Sequence, residues 1–107
     1  MSTLQEQQKP IDASIVNAMI ESTPEEWSVI ELTLHKENKD KNTGEFTHEL
    51  SSPEGYPPVS PEMSLYEATY KLDDLMKSHR AFIKRAVYIA TYNGENWSYT
   101  AEFEYYD

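Results

Sequence analysis

The chain predicts an α+β domain of order α-β-β-α-β-β, with a four-stranded antiparallel sheet carrying its helices largely on one face. Three observations lead to that class. Residues 28–35 and 97–106 alternate polar and apolar side chains, the period of half-buried strands. Residues 65–79 repeat apolar side chains at helical spacing. A length of 107 residues with 38% hydrophobic content suits one small core and one domain.

The elements follow in order. Residues 1–10 are polar and read as a loose N-terminus, so the domain proper spans 11–107. Ile11, Ile15, Ala18 and Met19 then share one face of a short helix. Thr23-Pro24-Glu25-Glu26 carries a helix-start signal, with a capping hydroxyl and a proline at the first position. The alternation that begins near Trp27 contradicts that signal, so the segment reads as a single turn that redirects the chain. In the first strand Ile30, Leu32 and Leu34 point inward. Residues 36–44 read as a solvated hairpin loop, and Glu45–Leu50 as a second strand with Phe46, His48 and Leu50 inward. The crossover over 51–63 holds four prolines and cannot be a central strand. Ser60-Pro61-Glu62 opens the long helix, which runs to about residue 80.

Residues 81–107 read as a closing hairpin around Asn93-Gly94. A two-residue loop pairs Ile89 with Ser98 and Val87 with Thr100, setting apolar residues over polar ones. A three-residue loop pairs Ile89 with Trp97, Val87 with Tyr99 and Ile83 with Phe103, and brings Lys84 opposite Glu102. Face parity favours the second, since a slip of one residue reverses every side chain. Its outward set then includes Ala86, Tyr88, Ala90, Ser98 and Thr100.

Little in the sequence proposes catalysis. With three glycines and no cysteine there is no phosphate-binding loop, thiolate metal site or thiol nucleophile. His35, His48 and His79 fall on different faces and elements, too far apart for ligand distances of about 2 Å. The adjacent pairs Glu25-Glu26 and Asp73-Asp74 point away from one another on a helix. The expectation is a non-enzyme without cofactor or metal. No apolar run approaches the roughly 18 residues of a membrane span, and the N-terminus has no basic start or apolar stretch, so the expected compartment is the cytoplasm.

Charge is the informative global property. Nineteen acidic against nine basic side chains leave a formal charge of −10, which disfavours nucleic acid as a ligand. An acidic surface of this kind either maintains solubility or draws in a basic partner by long-range attraction. The outward strand positions collect Glu31, Glu45, Glu49, Glu102 and Glu104, with Tyr88 and Tyr106 among them. Carboxylates and tyrosines together form a candidate docking face for a cationic protein. Tyr99 is a further candidate anchor, with a core role as its alternative.

Residues 11–35, with "PEEW" between helix and strand, resemble the start of the YezG-like immunity proteins, antitoxins of bacterial polymorphic toxin systems. "MSLYEATYKLDDLMKSHRAFIKR" is similar to that family's central helix, and "WSYTAEFEYYD" to its final strand. The loops at 36–44 and 51–61 depart from the pattern. The resemblance implies a protein that binds and neutralises a cognate toxin, typically a nuclease with a basic surface, acting as a monomer or weak dimer. Competing readings are an acidic adaptor domain without a toxin partner, a small-molecule-binding domain, and a mimic of DNA.

Overall fold

The structure is a computed structural model that describes residues 3–36 and 46–106. Its elements are α1 (Leu4–Ser22), β1 (Val29–His35), β2 (Thr47–Ser51), α2 (Met63–Ser78), β3 (Ile83–Tyr92) and β4 (Trp97–Tyr105). The α-β-β-α-β-β order is the one the sequence predicts, and the strands form one antiparallel sheet in the order β2-β1-β3-β4.

Helix α1 begins earlier than its apolar spacing suggests. Thr3 caps it, its hydroxyl accepting from the Glu6 amide at 3.1 Å, and the helix passes through Pro10. The segment expected to be loose is therefore helical from Leu4. Its far end explains the contradictory signal at Thr23. The Thr23 hydroxyl lies 3.1 and 3.2 Å from the Met19 and Ile20 carbonyls, satisfying acceptors that a helix end leaves open. Thr23 thus closes α1 instead of opening a new turn, and Pro24 cannot continue the helix. The chain turns through a 3.1 Å bond from the Trp27 amide to the Pro24 carbonyl. Trp27 is buried there, stacked on Tyr56 at 5.6 Å.

Helix α2 starts one turn-signal later than predicted, with Glu62 at its cap and no side-chain bond made by it. It ends in a bond from the Ala81 amide to the Met76 carbonyl at 2.8 Å, which forces Arg80 to a φ of 58°.

Both helices pack on the same face of the sheet. Ile15, Met19, Leu65, Leu72 and Met76 meet Ile30, Leu32 and Leu34 of β1, all essentially without solvent exposure. The crossover is tethered back to this layer by Glu54, whose carboxylate accepts from the Ser28 hydroxyl (2.7 Å) and the Ser28 and Val29 amides (2.8 and 3.0 Å). These bonds, the hydroxyl's first, hold the Glu54 carboxyl below its ordinary range.

The closing hairpin differs from both registers considered above. Tyr92 pairs with Trp97 across a four-residue loop, Asn93–Asn96, with Gly94 at a φ of 100°. The Asn93 side chain organises the loop by accepting from the Glu95 and Asn96 amides at 2.9 and 2.8 Å. Val87 therefore faces Glu102 and Ile89 faces Thr100, while Arg85, not Lys84, lies opposite a glutamate, Glu104. Strand β3 is reversed relative to expectation, with Ala86, Tyr88 and Ala90 buried inward and Val87 and Ile89 half-buried on the other face. The reason is steric and polar together. Alanines let the helices approach the sheet, and the long Tyr88 side chain reaches Asp12 on α1, its hydroxyl donating at 2.5 Å.

Candidate functional site

The face of the sheet opposite the helices is built from the alternation of all four strands. Reading across β2-β1-β3-β4, one row is Thr47, His35, Arg85 and Glu104. The next is Glu49, Thr33, Val87 and Glu102, and the third is Ser51, Glu31, Ile89 and Thr100. Val29 and Thr91 continue the central strands. The result is a short apolar strip, Val29, Val87 and Ile89, inside a polar frame whose charged members are four glutamates and Arg85.

The frame is acidic. Among the described residues the ion pairs are Lys36–Asp73 and Lys77–Asp73, and neither involves this face. Arg85 and Glu104 are cross-strand partners in register without forming an ion pair. Strands lie roughly 4.8 Å apart, so Glu49 and Glu102 in one row are about 14 Å from each other. That spacing suits a broad electrostatic surface and cannot make a carboxylate pair for acid/base chemistry. Among the described residues no group of three histidines or carboxylates could hold a metal.

The predicted contact residues divide accordingly. Glu31, Glu49, Glu102 and Glu104 are brought together on the open face, with Glu31 half-buried and the other three exposed. Glu45 lies outside the described residues. Tyr88 is corrected from surface anchor to core, because β3 presents its other face and the Asp12 carboxylate holds the hydroxyl. Burial, then that carboxylate, pushes the Tyr88 hydroxyl's pKa up. Tyr99 projects from the helix side of β4, stacked 6.4 Å from Tyr88 and 40% exposed, so it is not on the acidic face. Tyr106 follows the end of β4, half-buried, with its hydroxyl donating to the Lys36 carbonyl at 2.6 Å. It ties down a strand end and is not free to anchor a partner through that hydroxyl.

A second concavity, of about 580 Å³, lies between α2 and the start of β2, lined by Phe46, His48, Tyr66, Thr69, Tyr70 and Lys77. Its innermost polar groups, His48, Thr69 and Asp73, are hydrogen-bonded. The Phe46 carbonyl can only accept, so the neutral His48 ring carries its proton on Nδ1 (3.1 Å), while Nε2 lies 2.7 Å from the Thr69 hydroxyl, whose one hydrogen is shared between Nε2 and the Tyr66 carbonyl at 3.1 Å. Burial lowers the His48 pKa, and the bond to Phe46 opposes this in part. The buried Lys36 ammonium bonds Asp73 at 2.7 Å and sits 4.9 Å above the Phe46 ring. With both imidazole nitrogens engaged and Asp73 paired to Lys36 and Lys77, this region welds β1 and β2 to α2. The sequence offered no signal for it beyond the inward parity of Phe46 and His48.

No protein-family model matches the chain, and no curated protein matches it. Among the described residues no helix is long and apolar enough to cross a membrane.

Proposed function

We propose that this protein is an immunity protein that binds a cationic toxin domain, a nuclease in the reading favoured here, and neutralises it by covering its substrate groove. It acts by occupancy in the cytoplasm and catalyses nothing. The observation that carries the proposal is the open sheet face, where Glu31, Glu49, Glu102 and Glu104 surround Val87 and Ile89 and form no ion pair among the described residues. A nuclease must hold phosphates in a positive groove, and an array of fixed carboxylates on a rigid sheet competes for the same charges. The apolar strip supplies the desolvated centre that tight interfaces need, and the acidic frame supplies rate and selectivity. The departure of Tyr88 from the surface leaves the aliphatic strip, not tyrosines, as the anchor on this face.

Co-expression with a candidate cognate toxin domain is the test. Growth restored by the intact chain supports the proposal, and equal killing with and without it ends it. Reversal of Glu102 and Glu104 to lysine addresses the face itself. Binding is expected to slow and to lose part of its salt dependence, and unchanged kinetics would remove this face from the site.

A further inference from the structure

The two edges of the sheet are unequal. The hydrogen bonds that close each pair reveal which backbone groups remain free. The Asn93 amide bonds the Asn96 carbonyl at 3.1 Å, so the hydrogen-bonded pairs of β3 and β4 are the odd residues of β3 with the even residues of β4. The bonds Tyr92 to Ser28 (2.8 Å) and Lys36 to Lys84 (3.0 Å) agree, assigning the even residues of β3 to β1. The amides and carbonyls of Trp97, Tyr99, Ala101, Phe103 and Tyr105 therefore point away from the sheet, without a backbone partner among the described residues. At the opposite edge β2 has five residues, and the Leu50 carbonyl that points outward already accepts from the Val59 amide at 3.3 Å.

We propose that the β4 edge is a strand-addition site, at which an extended cationic segment of the partner pairs with Trp97–Tyr105. This rests on the function proposed above and specifies how the partner is gripped. Exposed edges of this length are ordinarily blunted by charge, proline, a bulge or a covering element. Strand β4 has no lysine or proline, and the bulge in its pairing with β3 lies at the far end, between Ile83 and Arg85. Its charges, Glu102 and Glu104, are both negative, which repels an acidic strand and leaves a cationic one favoured. Its side chains define the occupant. A strand alongside β4 sets one of its faces next to Ser98, Thr100, Glu102 and Glu104, where lysine or arginine is complementary. Its other face meets Tyr99, Phe103 and Tyr105, aromatic rings that extend beyond the helical layer, with Tyr99 40% and Tyr105 46% exposed. An alternating basic and apolar segment satisfies both faces and the open backbone at once. A second copy of this chain meets the backbone requirement but brings another formal charge of −10 to the same edge.

The test uses the full chain, isotopically labelled, and a nine-residue peptide of alternating lysine and valine with blocked ends. Amide exchange in the free protein is expected to alternate along β4, fast at Trp97, Tyr99, Ala101, Phe103 and Tyr105 and slow at Ser98, Thr100, Glu102 and Glu104. Saturating peptide should abolish the alternation. N-methylation of alternate peptide amides on the pairing edge should weaken binding by about tenfold or more, since several hydrogen bonds are lost together. Persistent alternation at saturation, or equal affinity for the N-methylated peptide, overturns the proposal. So does a dimer whose edge amides are protected without peptide, which would assign the edge to a second copy. The functional reading fails separately. A chain that neutralises its toxin while these five amides stay unprotected in the complex refutes strand addition alone. Peptide pairing by a chain that neutralises nothing leaves the edge site standing without the immunity role.

Discussion

The two faces of β3 are made of similar residue types and have opposite fates. Ala86, Tyr88 and Ala90 lie against the helices with no solvent exposure, while Val87 and Ile89, better strand formers and more hydrophobic than alanine, remain half-buried on the uncovered side. Hydrophobicity alone ranks these faces the wrong way round. The inner face is chosen by fit: α1 and α2 come close only over small residues, and of the β3 side chains it is Tyr88 that reaches Asp12. The outer face retains apolar bulk without a covering layer, and in the function proposed above that bulk is where the partner seats.

This contrast can be broken experimentally, starting where the effect is largest. Leu32→Ala empties the centre of the inner face and should cost about 2–5 kcal/mol in denaturant unfolding, because Leu32 is fully buried between β2 and β3. Tyr88→Phe keeps the ring and removes the shortest donor to a buried carboxylate that the Gln8 amide, at 3.3 Å, and the Tyr99 hydroxyl also approach. A loss of about 1–3 kcal/mol is expected, and a silent substitution would show that the pair does not lock α1 to the sheet. Arg80→Gly should move stability upward by about 1 kcal/mol, since it relieves the left-handed conformation that ends α2; a lower melting temperature would refute this account. Ile89→Thr on the outer face should change stability by less than about 1 kcal/mol while weakening partner binding, the reverse of the Leu32 result. A large stability loss at Ile89 would mean that this face serves folding.

The smallest expected effect is in pH. The His48 pKa is lowered from 6.5 by burial, so between the folded and unfolded values the unfolded chain binds more protons. Stability should therefore be level above about pH 7 and fall as pH drops below the ordinary imidazole range. His48→Gln should flatten that part of the profile, and an unchanged slope would place the acid sensitivity elsewhere.

Much of the architecture was legible because local chemistry and global position agreed. The alternation of Ile30, Leu32 and Leu34 placed β1, the apolar stripe from Leu65 to Met76 placed α2, and the acidic positions of β1, β2 and β4 emerged on one face. The failures came where two local choices were nearly equal. Asn93-Gly94 announces a turn but not its length, and the four-residue loop depends on the Asn93 side chain bonding two amides ahead of it. One residue of loop length reversed β3, which moved Tyr88 from the candidate site into the core. Thr23 likewise carries a cap signal at both kinds of helix end.

The sequence by itself determined the order of the elements, the approximate extent of the strands and of α2, and the parity of β1, β2 and β4, because periodicity is a property of neighbouring residues. Only the tertiary structure decided which face of β3 is covered, which sheet edge stays open and which tyrosines are spent on packing. Those outcomes depend on distances between segments far apart in the chain, such as Asp12 and Tyr88 or Leu50 and Val59, and no local pattern encodes them.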